Sequence, residues 1–442
     1  MSIRRLFRIT TLVATAALGL VLISGLTAAP SVKPPSDLAV QEANRGEWSR
    51  WRGPNGDGLS AETGLLKEWP AEGPPLAWQA KGFGGGMASV AVAGGKIYTL
   101  GRKGETHMIA ASVKDGKILW STPIGNTGGN PNCTPTVDGD LVFGLSNGGD
   151  LGCVNAKTGK LVWHKHLERD LGGMGIGYGF SESPLVDGDR LICTPGGNDS
   201  LLAALDKKTG KVIWQTKVDQ PLGNRGSDGA GYASIVISHG GGVKQYVTLV
   251  GRGIVSVDAA SGKLLWCYNG VANGTANIPT PIVSGDFVFC STGYGTGSAL
   301  LKLSKDGSGV KAEEQYFLEG NKLQNHHGGM ILKDGYVFCG HQHNEGFPIC
   351  VEMQTGKIAW GGKDRGPGGG SAAVVYADGN FYFRYQDGIM ALIEANPQEY
   401  KLNGKFKIKT HNDNSWPHPV IAGGKLYLRD QDDLLCYDIK AK

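Results

Sequence analysis

Histidines gather in the last third of the chain. Six of the ten lie in this part of the sequence: His326, His327, His341, His343, His411 and His418. Alternate residues of an extended loop point the same way, so His341 and His343 suit a single ion, and imidazole is a common zinc ligand. The pattern makes His327, His341 and His343 candidate ligands of a metal site. The alternative is that they are polar loop residues bonded to backbone, because no carboxylate is clearly placed to complete the coordination.

Other charged side chains accompany these histidines, although no strand or turn requires them. Those expected on the same surface are Glu182, His326, Arg384, His418, Arg429 and Asp430. Guanidinium and imidazole groups at one end of a channel suit a binding site for an anion or a metal. Such a site gains affinity for carboxylate or sulfate groups as the pH falls through about 6.5, the ordinary pKa of histidine. A solvated surface without any site is the alternative.

The sequence lacks the common catalytic and phosphate-binding motifs. No Walker loop, GxGxxG, GxSxG or HExxH occurs, although 71 of the 442 residues are glycine. The formal charge of +4 comes largely from Arg4, Arg5 and Arg8, and without them the chain has 41 basic and 40 acidic residues. A neutral body offers no basic surface to nucleic acid. We therefore expect a non-catalytic protein that binds a protein, peptide or glycan, with a metal-dependent enzyme as an alternative.

An internal repeat determines the elements that position these residues. Five segments align without gaps, each with a turn closed by Gly-Lys and a strand ending in Trp: 112–120, 155–163, 206–214, 258–266 and 352–360. Their tryptophans are Trp120, Trp163, Trp214, Trp266 and Trp360. The turn glycines, which supply the positive φ that the turn needs, are Gly116, Gly159, Gly210, Gly262 and Gly356. In two degenerate copies, Phe317 and Phe406 stand roughly where Trp is expected.

The repeat predicts an all-β, eight-bladed β-propeller of four-stranded antiparallel blades over residues 76–442. A lone strand at about 76–80 carries Trp78, and we expect it to pair with a C-terminal strand at 434–439 and so close the eighth blade. The repeated turns share one face of the disc, here called the turn face. Loops between and within blades share the opposite loop face, where we expect the ligand. The residues expected to ring the channel there are Thr134, Ser183, Thr280, His327, Ser371 and His418.

Three segments precede the repeats. Residues 1–29 have the charged start, apolar run and small final residues of a signal peptide, and an uncleaved N-terminal anchor is the alternative. Residues 30–47 are expected to form a linker. Residues 48–75 contain Trp48, Trp51 and Trp69 and are expected to pack across the outside of the propeller. We expect an exported monomer, periplasmic or secreted, whose eight cysteines are buried thiols rather than disulfides.

The turn motifs at 157–163 (KTGKLVW) and 205–214 (LDKKTGKVIW) resemble the repeats of pyrroloquinoline-quinone-like (PQQ-like) propellers. The segment 51–58 (WRGPNGDG) is similar to the start of exported bacterial propellers of this kind. The superfamily includes BamB, a subunit of the outer-membrane barrel assembly machinery, and quinoprotein alcohol dehydrogenases. The resemblance implies either a binding scaffold or, as the alternative, a PQQ-dependent dehydrogenase with Ca²⁺, for which Glu182 and Asn277 would be calcium ligands. The vicinal cysteine pair and the CxxCH haem motif of such enzymes are absent from this sequence, which favours the scaffold.

Overall fold

Apolar runs broken by glycine turns fold this chain into eight antiparallel sheets arranged as a propeller. The computed structural model describes residues 46–126, 128–411 and 414–442. Seven of the sheets have four strands, and the seventh blade has a fifth strand added at its inner edge. The predicted eight-bladed propeller is confirmed.

The strands are numbered in chain order. Before the first blade come β1 (Leu59–Ser60) and β2 (Leu76–Ala80). Blades one and two contain β3 (Ala91–Ala93), β4 (Lys96–Lys103), β5 (Glu105–Ser112), β6 (Ile118–Gly125), β7 (Thr136–Asp138), β8 (Leu141–Leu145), β9 (Asp150–Asn155) and β10 (Leu161–His166), followed by the short helix α1 (Leu167–Leu171). Blades three and four contain β11 (Leu185–Asp187), β12 (Arg190–Cys193), β13 (Ala203–Asp206), β14 (Val212–Gln215), β15 (Val236–Ser238), a 3-10 turn (Gly240–Gly242), β16 (Gln245–Val250), β17 (Gly253–Asp258) and β18 (Leu264–Tyr268).

The second half of the chain continues the same order. Blades five and six contain β19 (Ile282–Ser284), β20 (Phe287–Thr292), β21 (Gly297–Asp306), β22 (Gly309–Glu319), β23 (Met330–Lys333), β24 (Tyr336–His341), β25 (Phe347–Glu352) and β26 (Ile358–Gly361). Blades seven and eight contain β27 (Ala372–Ala377), β28 (Asn380–Tyr385), β29 (Ile389–Glu394), β30 (Leu402–Lys407), β31 (Val420–Ala422), β32 (Lys425–Asp430) and β33 (Asp433–Asp438).

The two ends of the propeller close the ring as predicted. β2 pairs antiparallel with β33, with Leu76 opposite Tyr437 and Trp78 opposite Cys436. The eighth blade therefore takes three strands from the C terminus and its outer strand from the N-terminal side. This pairing covers an edge that an open blade would leave exposed.

Repeat tryptophans and repeat glycines pack against one another across blade boundaries. A Cβ on Gly159 would lie 2.8 Å from the Trp120 ring of the preceding blade, and one on Gly210 would lie 2.9 Å from Trp163. The Trp120 indole also donates to the Ala156 carbonyl in the next blade's turn (3.2 Å). The glycine is thus required twice: its φ of +72° at Gly159 closes the turn, and its missing side chain admits the ring.

The expectations for Phe317 and Phe406 are wrong in detail. The strand register places Tyr316 at the Trp position of blade five, where its ring packs on Gly356. In blade seven the Trp position holds Gly404, and a Cβ there would lie 2.7 Å from the Cβ of Trp69. Trp69 of the N-terminal segment fills this place and makes an edge contact with Tyr382. A tryptophan from outside the blade therefore replaces the one missing from the repeat.

The segment between Trp48 and Ser60 crosses the central channel, which corrects the expectation that it lies across the outside. Trp48 forms a bridge with Val92 in blade one, and the Ser49 carbonyl accepts the amide of Val137 in blade two. β1 then pairs in parallel with β27, the first strand of blade seven. The first strands of neighbouring blades contact one another around the propeller axis. Because the segment bonds to first strands, it lies inside the ring of blades and blocks the central channel. The proposed signal peptide and nearly all of the linker lie outside the described residues.

Candidate functional site

A cavity of about 490 Å³ opens where the loop-face segments converge on the propeller axis. Aromatic rings in its wall are Trp51, Tyr178, Tyr232, Tyr294 and Trp416. Its polar wall residues include Asn132, Ser181, Ser183, Ser234, Thr280, His326, His327, His343, Asn344, Gln386 and His418, together with Arg52. The volume lies within the range of small-molecule sites. No aspartate or glutamate lines it among the described residues.

The N-terminal segment supplies the floor of this cavity. The Trp51 indole donates to the Thr280 hydroxyl (3.3 Å). Arg52 follows with a φ of 60°, in the left-handed region that few non-glycine residues adopt. Its guanidinium donates to the carbonyls of Gly56 (3.3 Å), Asp57 (3.0 Å) and Met330. Backbone carbonyls of its own loop and of blade six thus hold a buried cation beneath the cavity.

Arg52 can lie there because the residue packed against its guanidinium, Gly329, is a glycine. A Cβ on Gly329 would lie 2.4 Å from Arg52 Nη1 and 3.0 Å from the His418 ring. Burial lowers the pKa of Arg52 to about 10, and Asp57 opposes that shift, so the guanidinium is charged at neutral pH. Nη1 has no hydrogen-bond partner among the described residues.

Hydroxyl groups from consecutive blades form one side of the cavity, and we call Ser183, Ser234 and Thr280 the hydroxyl arc. Ser183 accepts the amide of Thr134 (3.0 Å), and Ser234 accepts the amide of Ser183 (2.9 Å). Thr280 accepts the amide of Ser234 (3.3 Å). Each oxygen is an acceptor for backbone, which leaves the hydroxyl proton to be donated.

Four histidines form the opposite side. The His326 ring lies 4.2 Å, centroid to centroid, from both His327 and His343. His326 hydrogen-bonds through Nδ1 to the Ser371 hydroxyl (2.8 Å) and through Nε2 to the Tyr294 hydroxyl (3.1 Å). His418 Nε2 lies 3.1 Å from the His327 carbonyl, which fixes Nε2 as the protonated nitrogen of the neutral ring.

Burial keeps the imidazoles of His326, His327 and His418 neutral. It lowers the pKa of His326 to about 4 and that of His418 to about 3. Nearby positive charge on Arg52 and Arg384 adds to the effect at His418. The pKa of His327 is also well below its ordinary value, because burial and the neighbouring histidines oppose its charge.

Five of the sequence-predicted residues lie behind the cavity wall instead of in it. His341 is buried, and its Nδ1 accepts the amide of Gln324 (3.2 Å). Arg384 donates to the Pro417 carbonyl (2.8 Å), and Arg429 donates to Thr99 Oγ1 (2.7 Å) and to the carbonyls of Leu100, Phe83 and Gly84. Burial lowers the pKa of each arginine to about 10, and the buried Asp430 opposes that shift in both. These arginines connect neighbouring segments of the fold.

Glu182 is the fifth of these residues. It lies between two wall residues, Ser181 and Ser183, but its carboxylate is turned inward to accept the Thr194 amide. Its Oε2 has no hydrogen-bond partner among the described residues, and burial raises its pKa to about 7. Cys133 and Cys193 lie close enough to Glu182 for its charge to raise their pKa values further.

The expected metal ligands do not converge. His341 is engaged with Gln324 while His327 and His343 line the cavity, and the described part of the chain contains no group of three His, Cys, Asp or Glu side chains suited to a metal ion. Calcium does not fit either, because it requires several oxygen ligands. Glu182 is turned away, and the Asn277 amide is bonded to Val250, Gly251 and Asn273.

Sequence reasoning found part of the wall and missed the floor. Ser183, Thr280, His327 and His418 line the channel where expected, and His326 and His343 join them. Trp51 and Arg52 were not expected there, because nothing in segment 51–58 indicates which surface it contacts. The expected ring residues Thr134 and Ser371 lie just behind the wall, where the Thr134 amide and the Ser371 hydroxyl support Ser183 and His326.

A protein-family model described as outer membrane protein assembly factor BamB matches residues 67–170 and 126–362 of this chain. The solved structure of BamB from Moraxella catarrhalis has a TM-score of 0.58 and 15% identity, covering 83% of this chain and 99% of that one. A quinohemoprotein alcohol dehydrogenase from Pseudomonas putida HK5 has a TM-score of 0.62 and 14% identity, covering 93% and 82%. At these identities the structural likeness shows the fold alone.

Two characterised relatives are similar in sequence. A tetrathionate hydrolase from Acidithiobacillus ferrooxidans is 21% identical over 439 residues, covering 88% of this chain and 80% of the relative. The dehydrogenase subunit of a quinone alcohol dehydrogenase from Gluconacetobacter polyoxogenes is 27% identical over 220 residues, covering 44% of this chain and 26% of the relative. Within the described residues, the structure contains no helix that could span a lipid bilayer.

Proposed function

This chain belongs to the PQQ-like propeller family of the outer membrane protein assembly factor BamB, and on that premise we propose that it is an exported, non-catalytic binding protein whose ligand occupies the loop-face cavity. The observation that carries the proposal is the cavity itself: about 490 Å³ of space at the propeller axis, lined by five aromatic rings and closed below by Trp51 and Arg52. A small molecule, or the end of a peptide or glycan, fits a site of this size.

Backbone conformation supports this position for the ligand. Seven described non-glycine residues have a positive φ, and three of them line the cavity: Arg52, Tyr294 and Asn344. Such conformations are unfavourable and occur often at ligand sites, where surrounding contacts hold them. The fold thus maintains unfavourable backbone geometry at the cavity.

The polar groups of the wall are engaged in a way that suits binding more than catalysis. Both ring nitrogens of His326 are hydrogen-bonded, and its partner Ser371 does not line the cavity. The Nε2 of His418 is held by a backbone carbonyl. The Tyr294 hydroxyl and His326 Nε2, 3.1 Å apart, both line the cavity. Among the described residues no serine, threonine or cysteine of the wall contacts a base, whereas nucleophilic catalysis by those residues needs such a pair.

The dehydrogenase alternative lacks support from the described wall. In such an enzyme bound PQQ would accept electrons from an alcohol, with Ca²⁺ beside it. The described cavity residues include no carboxylate for the calcium ion. The Glu182 carboxylate points away from the cavity and accepts the Thr194 amide. The residues present do not fit this cofactor pair.

Occlusion of the cavity tests the proposal. The protein is purified from its own host, denatured, and the released small molecules are identified by mass spectrometry. The substitution Ser181→Trp fills the cavity from its wall and should abolish the released species, whereas Asp189→Trp on the turn face should leave it unchanged. If Ser181→Trp still releases the small molecule, or if only Asp189→Trp loses it, the ligand binds elsewhere.

A further inference from the structure

We propose that the margin of the turn face on blades one to three binds an anionic lipid surface. This margin lies on the opposite side of the disc from the loop-face cavity, and the observations that support it are independent of the ligand proposed there.

Exposed aliphatic side chains gather on the outer strands of three neighbouring blades. Among the described residues, ten large apolar side chains are at least 38% exposed, and half of them belong to blades one to three: Leu119, Leu161, Val162, Val212 and Ile213. They follow the Gly-Lys turns of these blades by one or two residues, so they lie at the edge of the turn face. An exposed apolar patch of this kind marks an interaction surface.

A strand bulge presents three of these side chains to solvent. In each outer strand the residue before the repeat Trp is the extra one in the pairing, and in blades one to three it is Leu119, Val162 and Ile213. In blade four it is Leu265, which is partly buried against the core. In blades five to eight it is polar or small: Gln315, Ala359, Asn403 and Ala77. A bulge disfavours pairing with a further strand, so this surface recognises its partner through side chains.

Lysines surround these aliphatic residues. The turns at 112–117, 155–160 and 206–211 contain seven lysines, two aspartates and no glutamate. Lys207 pairs with Asp138 (2.6 Å), and the other six are exposed: Lys114, Lys117, Lys157, Lys160, Lys208 and Lys211. The corresponding turns of blades four, six and seven, at 258–263, 352–357 and 394–401, contain no excess of lysine over acidic residues. We call the six lysines and the five aliphatic residues the rim patch.

The composition of the rim patch favours a lipid surface as its partner. Buried apolar area and lysines close to the headgroups both strengthen binding to an anionic membrane. A second copy of this chain, joined through the same patch, would bring lysine against lysine. The patch contains no Trp, Tyr or Arg, the residues that anchor most protein interfaces.

The N-terminal segment enters the fold beside this patch. The Glu47 carboxylate accepts the amide of Gly94 (3.3 Å), which lies in the turn-face hairpin of blade one. The apolar run that precedes it in sequence, the expected signal peptide or anchor, lies outside the described residues. If that run is retained as an anchor, it tethers the protein to a membrane from the face that borders the rim patch.

Protection of lysines by vesicles tests the inference on the full chain, in the form that its host leaves after export. The probes are vesicles of phosphatidylcholine alone and vesicles that contain about one-third phosphatidylglycerol. Lysine acetylation, followed by mass spectrometry, shows which side chains a vesicle covers. Acetylation of Lys117, Lys160 and Lys211 should fall at least about threefold on the anionic vesicles, whereas Lys357 and Lys405 on blades six and seven should be unaffected. Salt at about 0.5 M should restore the labelling, because it screens the lysines.

Paired variants separate the two contributions, measured by vesicle flotation or, where the apolar run is retained, by the acetylation pattern. Lys160→Glu with Lys211→Glu should weaken binding to anionic vesicles at least about tenfold, because each lysine near such a surface contributes about fivefold. Val162→Ser with Ile213→Ser should weaken it about fivefold or more, since less apolar area is buried. The controls change exposed residues on the outer strands of blades six and seven and should bind like wild type: Lys357→Glu with Lys405→Glu, and Ile358→Ser with Leu402→Ser. Thermal melts show whether each variant is folded.

Four results would overturn the inference. Unchanged acetylation of the rim lysines on anionic vesicles would mean that no lipid contact forms there. Equal weakening by the control variants would show a general attraction to charge without a defined site. A dimer in sedimentation that only the rim variants dissociate would assign the patch to a second copy. A single protein that co-purifies in stoichiometric amount, and that only the rim variants release, would assign it to a protein partner.

Discussion

The Trp51 ring lies 4.4 Å, centroid to centroid, from the His418 imidazole. This contact joins the first described segment of the chain to the start of the last blade, at the floor of the cavity. The N-terminal segment is therefore part of the binding cavity as well as of the fold. A propeller without this segment would have an open channel where the floor of the cavity now lies.

Replacement of Trp51 should affect both stability and the cavity. Trp51→Ala removes the contact with His418 and the hydrogen bond to Thr280, and should lower the free energy of unfolding by about 1–3 kcal/mol. Trp51→Phe keeps most of the ring packing and should lose less than half as much. Guanidinium unfolding curves measure both. If the alanine variant is as stable as wild type, the segment does not hold the channel closed.

Trp69 should behave as a core residue of blade seven, although it lies outside that blade in sequence. Trp69→Ala should reduce stability by about 3–5 kcal/mol, as expected for a buried tryptophan. Gly404→Ala should also destabilise, because its new Cβ would lie 2.7 Å from the Trp69 Cβ at a φ of +143°. The two effects should not add in the double variant, since both changes disturb one contact. Additive losses would mean that the two positions act independently.

The sequence predicted those features that depend on local geometry. Glycine turns and the Trp-bearing strands repeat because each blade needs them, so the number of blades and the pairing of β2 with β33 followed directly. The roles of Tyr316 and Trp69 were missed, because a strand bulge and a tertiary contact decide them. Segment 48–60 bonds through its backbone to blades one, two and seven, and such bonds cannot be predicted from residue type. Side chains of Trp51, Arg52 and Ser60 bond it to blades five, six and eight.

The same distinction applies to the cavity. Positions just before first strands could be read from the repeat, which is why Ser183, Thr280, His327 and His418 were expected around the channel. Whether a polar side chain then faces the cavity or the interior depends on which carbonyl or amide lies beside it. Arg384 is directed to the Pro417 carbonyl and His341 to the Gln324 amide, and neither partner could be identified from sequence.

Calcium and PQQ should not produce dehydrogenase activity. The described wall offers no carboxylate for the metal, so the protein incubated with both should give no alcohol-dependent dye reduction. Elemental analysis and the ultraviolet–visible spectrum of protein from its own host should likewise show neither calcium nor quinone in stoichiometric amount. Saturable dye reduction would overturn the binding-protein proposal in favour of an oxidoreductase.

Glu182 should make the folded state less stable as the pH rises. Its pKa is about 7 in the fold and about 4.5 in the unfolded chain, so between these values the unfolded chain releases a proton that the folded chain retains. Its contribution is therefore fully present below about pH 4.5 and is lost by about pH 7. Glu182→Gln can still accept the Thr194 amide, and should stabilise the protein at pH 8 by on the order of 2 kcal/mol. Glu399→Gln, at an exposed position, is the control. If both variants change the stability at pH 8 equally, burial of Glu182 is not the cause of the effect.

The buried histidines should have the opposite dependence on pH. Their pKa is about 4 for His326 and about 3 for His418 in the fold, against 6.5 when unfolded, so below pH 6.5 the unfolded chain binds protons that the folded chain excludes. Stability is therefore fully present above about pH 6.5 and is lost as the pH falls toward 4.

Measurement of this effect is cleanest in the Glu182→Gln background, where the opposing carboxyl is removed. Urea unfolding at pH 7, 5.5 and 4.5 should show a loss on the order of 2 kcal/mol for each imidazole, and His326→Gln should reduce the slope by about one proton. His239→Gln, on the turn face, should leave the slope unchanged. An unchanged slope in His326→Gln would show that this imidazole is protonated as readily in the fold as in the unfolded chain.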